Sequence, residues 1–440
     1  MKEYNMTKLL SIDIGSYSSK LILTEKISNT IEVLFFSEKS YAEPLREKIT
    51  TENSEVIANQ INNLVRDFKN VEGEIVSCNV SFGGSSVNSA IIDSSLENMD
   101  SSEIITQDQL NLLTKNNPKI NSFISKTTAH IIPLEYSLDG MIGIRHPLGM
   151  HSKKLSVSNL YVNIEDDDIS KSKEILIRSG LETKIIASES IVTSNYLLNS
   201  DEKEIGSLII DIGAASTDFC YSRKGKPILI GSLPVGGNQF TSDLSIAFST
   251  NLDFANQLKL ETSCTPENER IAEKVIVKQN ETSKTFEITK RQISQVLKER
   301  AIELFNLIRQ EIIDKLGTEN LPERIILCGG GSRLEGIVPL SRYIFQAKSR
   351  LIDSKNIKFL GENLPIEAMG VMSLASYCHN LTSNTEYVLE GSSKNNPKTT
   401  NASNANSITL GKIGSKLQFS VKILRKKINI ISTRIKNILK

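Results

Sequence analysis

The 440-residue chain has few or none of the residue types that mark several protein classes. It has no Trp, 5% aromatic residues and five scattered Cys without CxxC spacing, which argues against a disulfide framework and against a zinc site. No apolar run approaches the roughly 18 to 20 residues of a membrane span, and the N-terminus lacks a cleavable signal pattern. We therefore expect a globular protein of several domains that stays in the cytoplasm.

The net charge of +1 conceals an asymmetry along the chain. Residues 411–440 contain nine Lys or Arg and no acidic residue, so residues 1–410 carry 43 basic against 51 acidic side chains, a net charge of −8. An acidic body without a basic face predicts that nucleic acid is not a partner. The basic C-terminal segment requires a separate explanation.

Two segments 198 residues apart are near-copies of each other. Residues 11–20 read Ser-Ile-Asp-Ile-Gly-Ser-Tyr-Ser-Ser-Lys, and residues 209–218 read Ile-Ile-Asp-Ile-Gly-Ala-Ala-Ser-Thr-Asp. The apolar runs on either side of each Asp-Ile-Gly predict a strand, a tight turn and a second strand. Glycine lets the backbone approach an anion, its neighbours can donate to phosphate oxygens, and the Asp can hold Mg²⁺ or a water. The pair indicates a nucleotide held between two halves, whereas one copy alone would fit an ordinary hairpin.

A third element places three consecutive glycines, Gly329 to Gly331, after the apolar run that starts at Ile325. Such a loop can lie flat against a base or ribose. Taken alone it also fits a plain strand-to-helix loop, but its position after both hairpins favours the nucleotide interpretation.

Periodicity predicts the remaining elements in outline. We expect strands over 7–37 and 74–82, an amphipathic helix over 53–68, and helices over 171–178, 189–198 and 293–316. The pattern changes over 83–165, which indicates an inserted module with a helix near 106–115 and strands near 131–136 and 155–163. The acidic run 165–168 is interpreted as a solvated turn.

The C-terminal segment predicts a linker followed by an amphipathic helix. Residues 381–410 hold 16 Asn, Ser or Thr and few large apolar side chains, which is typical of a flexible linker. Beyond it, apolar residues recur every three or four positions: Leu417, Val421, Leu424, Ile428, Ile431, Ile435 and Ile438. Basic residues, including Lys422, Arg425, Lys426 and Lys427, accompany them without any carboxylate. This favours a helix lying in an anionic membrane surface, with a coiled coil or a docked helix as the alternative.

Together these residues resemble the actin, heat-shock chaperone and sugar kinase superfamily and, within it, the FtsA family of bacterial division proteins. The specific motifs are 138–150 (Leu-Asp-Gly to Leu-Gly-Met), 234–243 (Pro-Val-Gly-Gly to Ser-Asp), 365–374 and the tail helix. The resemblance covers nearly all of residues 8–380. It implies an α/β, two-lobed actin-like ATPase fold with an inserted small α+β domain and a C-terminal amphipathic helix.

On this basis we assign the parts of the chain. Residues 7–82 and 166–203 would form the first lobe, with 345–380 packing back on it, and 83–165 the inserted domain. Residues 204–240 and 291–344 would form the second lobe, with 241–290 as its subdomain, followed by the linker 381–410 and the membrane-targeting helix 411–440.

The resemblance also implies site residues for ATP and Mg²⁺. Asp13 and Asp211 would hold the metal, and Glu189 would orient an attacking water, although a Glu at a helix start is also favoured by the helix dipole alone. The residues implied in nucleotide binding are Gly15, Ser16, Lys20, Gly213, Ser216, Gly236, Gly237, Asn256, Lys259, Gly329, Gly330 and Gly331. Asn256 stands where the family usually has Glu, which weakens the expected ribose contact.

The function implied by the resemblance is that of an adaptor with at most weak ATPase activity. It would recruit filaments of FtsZ (the Z ring), self-associate into dimers or actin-like protofilaments, and sit peripherally on the cytoplasmic face of the inner membrane at the division site. A pilus-assembly adaptor like PilM is the main alternative, because the first turn is spaced as in that protein. A sugar kinase would need a general base, and a chaperone a substrate-binding domain, and the sequence marks neither.

Overall fold

The structure is a computed structural model that describes residues 8–28, 30–45, 49–50, 52–72, 75–97, 104–114, 124–267, 273–278, 285–352, 358–359, 362–381 and 387–390. The predicted helix at 411–440 and most of the predicted linker lie outside these residues. The described residues divide into two compact units, one formed by those within 8–238 and 302–390 and the other by those within 239–301. Among the described residues, no helix is long and apolar enough to cross a bilayer.

Strands and helices are interspersed along the chain up to residue 205. The strands are β1 (Lys8–Ile14), β2 (Ser18–Ile27), β3 (Thr30–Ser40), β4 (Ser77–Phe82), β5 (Val87–Leu96), β6 (Lys126–Leu138), β7 (Met141–Ile144), β8 (Leu155–Glu165) and β9 (Glu182–Ser188). The helices are α1 (Ser54–Glu72), α2 (Gln107–Leu113), α3 (Asp166–Arg178), α4 (Glu189–Leu197) and α5 (Ser200–Ile205).

Beyond residue 205 the chain again mixes strands and helices. The strands are β10 (Ser207–Ile212), β11 (Thr217–Arg223), β12 (Lys226–Leu233), β13 (Lys274–Lys278), β14 (Thr285–Thr289), β15 (Arg324–Cys328), β16 (Lys348–Leu351), β17 (Lys358–Phe359), β18 (Glu362–Asn363) and β19 (Tyr387–Glu390). The helices are α6 (Gly237–Phe248), α7 (Leu252–Glu261), α8 (Lys290–Leu316), α9 (Ile337–Phe345) and α10 (Met369–Asn380).

The first sheet of the larger unit runs in the order β3-β2-β1-β4-β9 before it meets the inserted module. Strands β1 and β2 form an antiparallel hairpin, and β1, β4 and β9 are parallel neighbours. Strand β1 is buried from Leu10 to Ile14 without alternation, as expected for a strand covered on both faces. Helix α10 packs against β1, β2 and β4, while α1 packs against β2, β3 and α3.

Strand β19 joins the first sheet to the sheet of the inserted module. The module orders its strands β6-β8-β5, with β7 paired to β6. Strand β19 pairs with β6 through Tyr387 and Val388, and with β9 through Leu389 and Glu390. The composition of residues 381–410 predicted a linker over the whole segment. An average over thirty residues hides the short Tyr-Val-Leu run in β19, whose residue types favour a strand.

The second sheet of the same unit has the order β12-β11-β10-β15-β16 and carries the second hairpin as β10 and β11. Helix α10 is buried on nearly all sides, because its residues complete a core with both sheets. That core contains Ile22 from the first sheet, Ile209 and Ile326 from the second, and Met369 and Met372 from α10. The helix therefore fixes where the two hairpins lie.

The smaller unit contains α7, the β13–β14 hairpin and parts of α6 and α8. A buried ion pair holds it together, with Arg300 Nε 2.5 Å from Asp243 Oδ2 and Arg300 Nη2 2.8 Å from Asp243 Oδ1. Such a bidentate pair fixes the relative orientation of α8 and α6 within the unit.

One predicted element is wrong in a way that electrostatics explains. The acidic run Asp166 to Asp168 forms the first turn of α3, not a solvated turn. Carboxylates are stabilised by the unpaired N–H groups at a helix start. Acidic residues of this kind therefore indicate a helix start as well as a turn.

We predict that Ile326→Ala lowers the free energy of unfolding by roughly 2 to 5 kcal/mol, because the side chain is fully buried between the two sheets. The matched control is Ile177→Ala on α3, whose side chain is 64% exposed and which should change stability by less than about 1 kcal/mol. Urea unfolding measures both. Equal effects of the two substitutions would contradict the assigned core.

Candidate nucleotide-binding site

Each of the two hairpins closes with a tight turn that favours glycine at its first position. Gly15 N–H donates to Ser18 O at 3.1 Å, and Gly213 N–H donates to Ser216 O at 2.9 Å. A Cβ atom at Gly15 would lie 2.8 Å from Ser18 O, and one at Gly213 would lie 3.0 Å from Ser216 O. The repeated Asp-Ile-Gly motif therefore produces two turns of the same design.

The two turns touch each other directly. The backbone N–H of Ala215 donates to Ser16 Oγ at 3.1 Å, and Ser16 is buried. The internal repeat, separated by 198 residues in sequence, thus forms one site in space. Ser16, predicted to face a nucleotide, lies between the turns.

The first hairpin contains a buried ion pair. Asp13 and Lys20 are partners across the β1–β2 ladder, and Lys20 Nζ lies 3.3 Å from Asp13 Oδ2 and 4.0 Å from Glu38 Oε1. Burial opposes the charge of Lys20, but the carboxylates of Asp13, Glu38 and Glu189 outweigh it, so the pKa of Lys20 is raised above 10.5. Asp13 Oδ1 is buried without a hydrogen-bond partner in the described part of the chain.

The second hairpin places two carboxylates at the same ladder position. Asp211 faces Asp218 across the β10–β11 ladder, where the first hairpin has Asp13 facing Lys20. Asp218 Oδ1 accepts a hydrogen bond from Gly84 N–H at 2.7 Å, which ties the start of the inserted module to this hairpin. Burial and the negative charges of Asp211, Glu189 and Asp218 raise the pKa of the Cys328 thiol well above its usual value.

The glycine-rich loop packs directly on the end of β10. Gly329 has a φ of +79°, and a Cβ atom there would lie 2.2 Å from Asp211 Oδ1. A Cβ atom at Gly331 would lie 2.4 Å from Ile212 Cγ2, whereas one at Gly330 would have no atom of the described residues within 4 Å. Gly330 therefore presents its open side to space that a ligand can use.

A further turn covers the second hairpin. Gly237 N–H donates to Gly213 O at 2.9 Å, and a Cβ atom at Gly236 would lie 2.6 Å from both Gly213 O and Ala214 O. The predicted glycines Gly236 and Gly237 are thus placed against Gly213 and Ala214 of the second turn.

Glu189 is the first residue of α4 and lies next to the first hairpin. A Cβ atom at Gly370 of α10 would be 3.5 Å from Glu189 Oε1 and 3.9 Å from Asp13 Oδ2. Both carboxylates therefore face the same point on α10. The structure brings Glu189 to the first hairpin, and its water-orienting role stays a prediction.

Asn256 and Lys259 belong to the smaller unit and are described within it. Lys259 Nζ donates to Thr241 Oγ1 at 2.8 Å, and Asn256 Oδ1 lies 3.5 Å from the same hydroxyl. Burial lowers the pKa of Lys259 from 10.5 to about 8. Their contact with a ribose stays a prediction.

The donors and acceptors at the two hairpins fit a nucleotide that carries a divalent cation. Three carboxylates, those of Asp13, Glu38 and Glu189, act on the ammonium of Lys20, and Asp211 and Asp218 add two more at the second hairpin, so a bare polyphosphate would meet net repulsion. The unpaired Asp13 Oδ1 can accept a hydrogen bond from a cation-bound water. Among the described residues, no group of three or more His, Cys, Asp or Glu is arranged to hold a metal by itself. Mg²⁺ commonly uses one or two carboxylates together with phosphate oxygens and waters.

The sequence matches two family models. The model "Cell division protein FtsA" matches residues 208–406, and the model "SHS2 domain inserted in FTSA" matches residues 83–163. Together they span more than half of the chain. The chain belongs to the FtsA family of cell division proteins.

Curated relatives agree with this assignment. The cell division protein FtsA of Pseudomonas aeruginosa is 29% identical over 246 residues, which are 55% of this chain and 59% of that protein. The match to that relative thus spans less than two thirds of its length. FtsA of Borreliella burgdorferi is 23% identical over 379 residues, which are 84% of this chain and 91% of that protein.

Solved structures confirm the predicted actin-like fold. The PilM-PilN type IV pilus biogenesis complex superposes with a TM-score of 0.57 at 18% identity, covering 84% of this chain and 98% of that one. MreB5 of Spiroplasma citri bound to ADP gives a TM-score of 0.50 at 14% identity, covering 84% and 95%. At these identities the likeness concerns the fold alone.

Sequence reasoning missed three residues that build the site. Asp218 is the last residue of the second repeat. When the two repeats are aligned, it stands at the position of Lys20 and therefore lies opposite Asp211, as Lys20 lies opposite Asp13. No sequence pattern marks Gly84 or Gly370 as a site residue. Gly84 donates its N–H to Asp218, and Gly370 lies beside Glu189 and Asp13, all of which are far away in the sequence.

We predict that Gly329→Ala lowers the free energy of unfolding by about 1 to 3 kcal/mol, since its φ disfavours a side chain and Cβ would collide with Asp211. Gly330→Ala is the matched control and should stay within about 0.5 kcal/mol of the wild type, because its Cβ meets open space. Chemical unfolding measures both. A destabilising Gly330→Ala beside a neutral Gly329→Ala would contradict the described loop.

Proposed function

We propose that the chain is an ATP- and Mg²⁺-binding, actin-like adaptor that attaches FtsZ filaments to the cytoplasmic face of the inner membrane at the division site. The observation that carries the nucleotide part is the direct contact between two phosphate-type turns, Ala215 N–H to Ser16 Oγ. The family match supports the division part. The tail sequence supports the membrane part.

The proposed nucleotide site uses the residues that surround this contact. Asp13 and Asp211 would hold Mg²⁺, and Lys20 would contribute positive charge toward the phosphates. The open side of Gly330 would face the adenosine. A protein of the same fold, MreB5 of Spiroplasma citri, was solved with ADP bound.

We propose that the nucleotide acts mainly as a conformational clamp. Phosphoryl transfer depends on positioning and charge neutralisation, and Glu189, at the start of α4, would orient a water. Weak hydrolysis would suit a protein whose nucleotide state changes its affinity for filaments.

The proposed membrane and self-association surfaces lie in different parts of the chain. The helix from Leu417 to Ile438 would lie in the bilayer surface, where each nearby Lys or Arg contributes about 1 kcal/mol. Self-association would use the inserted module, whose β6–β7 hairpin exposes Met141 (68%) and Ile142 (75%). Exposed apolar side chains of this size commonly mark contact surfaces.

Co-sedimentation tests the adaptor function. Full-length protein, Mg²⁺-ATP, purified FtsZ and anionic liposomes are mixed, and we expect FtsZ to pellet with the liposomes only when this protein is present. Ile428→Glu places a charge on the apolar face and should abolish the pelleting of both proteins. A chain ending at Leu410 should behave in the same way.

Thr433→Glu is the matched control, because it adds the same charge opposite the apolar face and should retain most of the binding. If the wild type pellets while FtsZ stays in solution, the FtsZ role fails and a pilus-type adaptor becomes the better account. If the wild type does not pellet, the tail is a docking helix.

A further inference from the structure

His130 lies at the junction between the inserted module and the first sheet. It is fully buried on β6, and its Nε2 accepts a hydrogen bond from the backbone N–H of Ser188 at 2.8 Å. Because a backbone N–H can only donate, Nε2 must be unprotonated and the ring proton must sit on Nδ1. Nδ1 then donates to the hydroxyl of Tyr377 on α10, 3.3 Å away.

The ring keeps this arrangement over the physiological pH range. Burial lowers the pKa of His130 to about 3, so the imidazole stays neutral. The ring also packs edge-to-face on Tyr377, with centroids 5.8 Å apart. Its tautomer and its orientation are thus both fixed by neighbours.

The hydrogen bond holds the point where β9 ends and α4 begins. Ser188 is the N-cap residue of α4 but makes no side-chain cap hydrogen bond, and its buried hydroxyl has no partner among the residues that the structure describes. The imidazole thus supplies a side-chain hydrogen bond to the backbone where α4 begins. The next residue is Glu189, whose carboxylate reaches the first hairpin beside Gly370.

The same histidine is tied to the inserted module through its backbone. His130 pairs with Val162 of β8 and with Val388 of β19. A shift of the module relative to the first sheet would therefore move the imidazole, and with it the start of α4.

We propose that His130 is a positioning residue that fixes Glu189 through the Ser188 amide and so couples the inserted module to ATP hydrolysis. The inference rests on the proposed function, because it assigns Glu189 the water-orienting role. A histidine that served only to fill space would be replaceable by any side chain of similar volume. The coupling instead requires a hydrogen-bond acceptor at the position of Nε2.

Three substitutions separate the two accounts. His130→Gln can place an amide oxygen near the Nε2 position, His130→Asn places its amide near Nδ1, and His130→Leu fills the space without an acceptor. In full-length protein, we expect His130→Leu and His130→Asn to slow single-turnover hydrolysis of labelled ATP about 10- to 100-fold, since small misplacements of a reacting group cost this much. The dissociation constant of Mg²⁺-ATP should change less than about threefold in the same variants, because Glu189 acts on hydrolysis. His130→Gln should retain most of the wild-type rate.

Amide hydrogen exchange over residues 186–192 provides a readout that is independent of hydrolysis. It should speed up in His130→Leu and His130→Asn and stay near wild type in His130→Gln. Equal hydrolysis rates in all three variants, or a loss of rate in His130→Gln as large as in His130→Leu, would overturn the proposal.

Glu189→Gln separates failure of this inference from failure of the proposed function. We expect it to slow hydrolysis, and His130→Leu should add little in that background. If the wild type does not hydrolyse ATP, or if Glu189→Gln hydrolyses it at the wild-type rate, the positioning role is overturned. Mg²⁺-ATP binding in the same samples still decides whether the nucleotide site stands.

Discussion

The hydrogen bond from Ala215 N–H to Ser16 Oγ joins two hairpins that are far apart in sequence, and the candidate site depends on it. Each hairpin carries its aspartate at a strand end, so bringing the turns into contact also brings the charges into one site. The buried Lys20–Asp13 pair then offsets part of the negative charge. Without that ammonium, desolvation of the clustered carboxylates would oppose the contact.

Helix α10 adds apolar packing to this hydrogen bond. Its residues pack on both sheets at once, which explains why a helix near the end of the described chain is among its most buried elements. Gly370 on the same helix leaves room for the carboxylates of Glu189 and Asp13. One helix thus sets both the spacing of the sheets and the space beside the first hairpin.

The features predicted from the sequence are those encoded by local pattern. The repeated Asp-Ile-Gly motif predicted both hairpins, whereas the pairing of Asp13 with Lys20 across the first one is a register that the structure supplies. The contacts of Gly84 with Asp218 and of His130 with Ser188 join elements 134 and 58 residues apart, and no local pattern reports such pairs. Strand β19 was missed because four residues do not alter the composition of a thirty-residue polar segment.

Calorimetric titration of the full-length protein with ATP, with and without Mg²⁺, tests most directly whether the joined hairpins form a nucleotide site. The account predicts saturable binding with one ATP per chain that requires Mg²⁺ and is lost in Asp211→Ala. Asp201→Ala, an exposed acidic residue on α5, should bind as the wild type does. Absence of binding in the wild type, or unchanged binding in Asp211→Ala, would contradict the account.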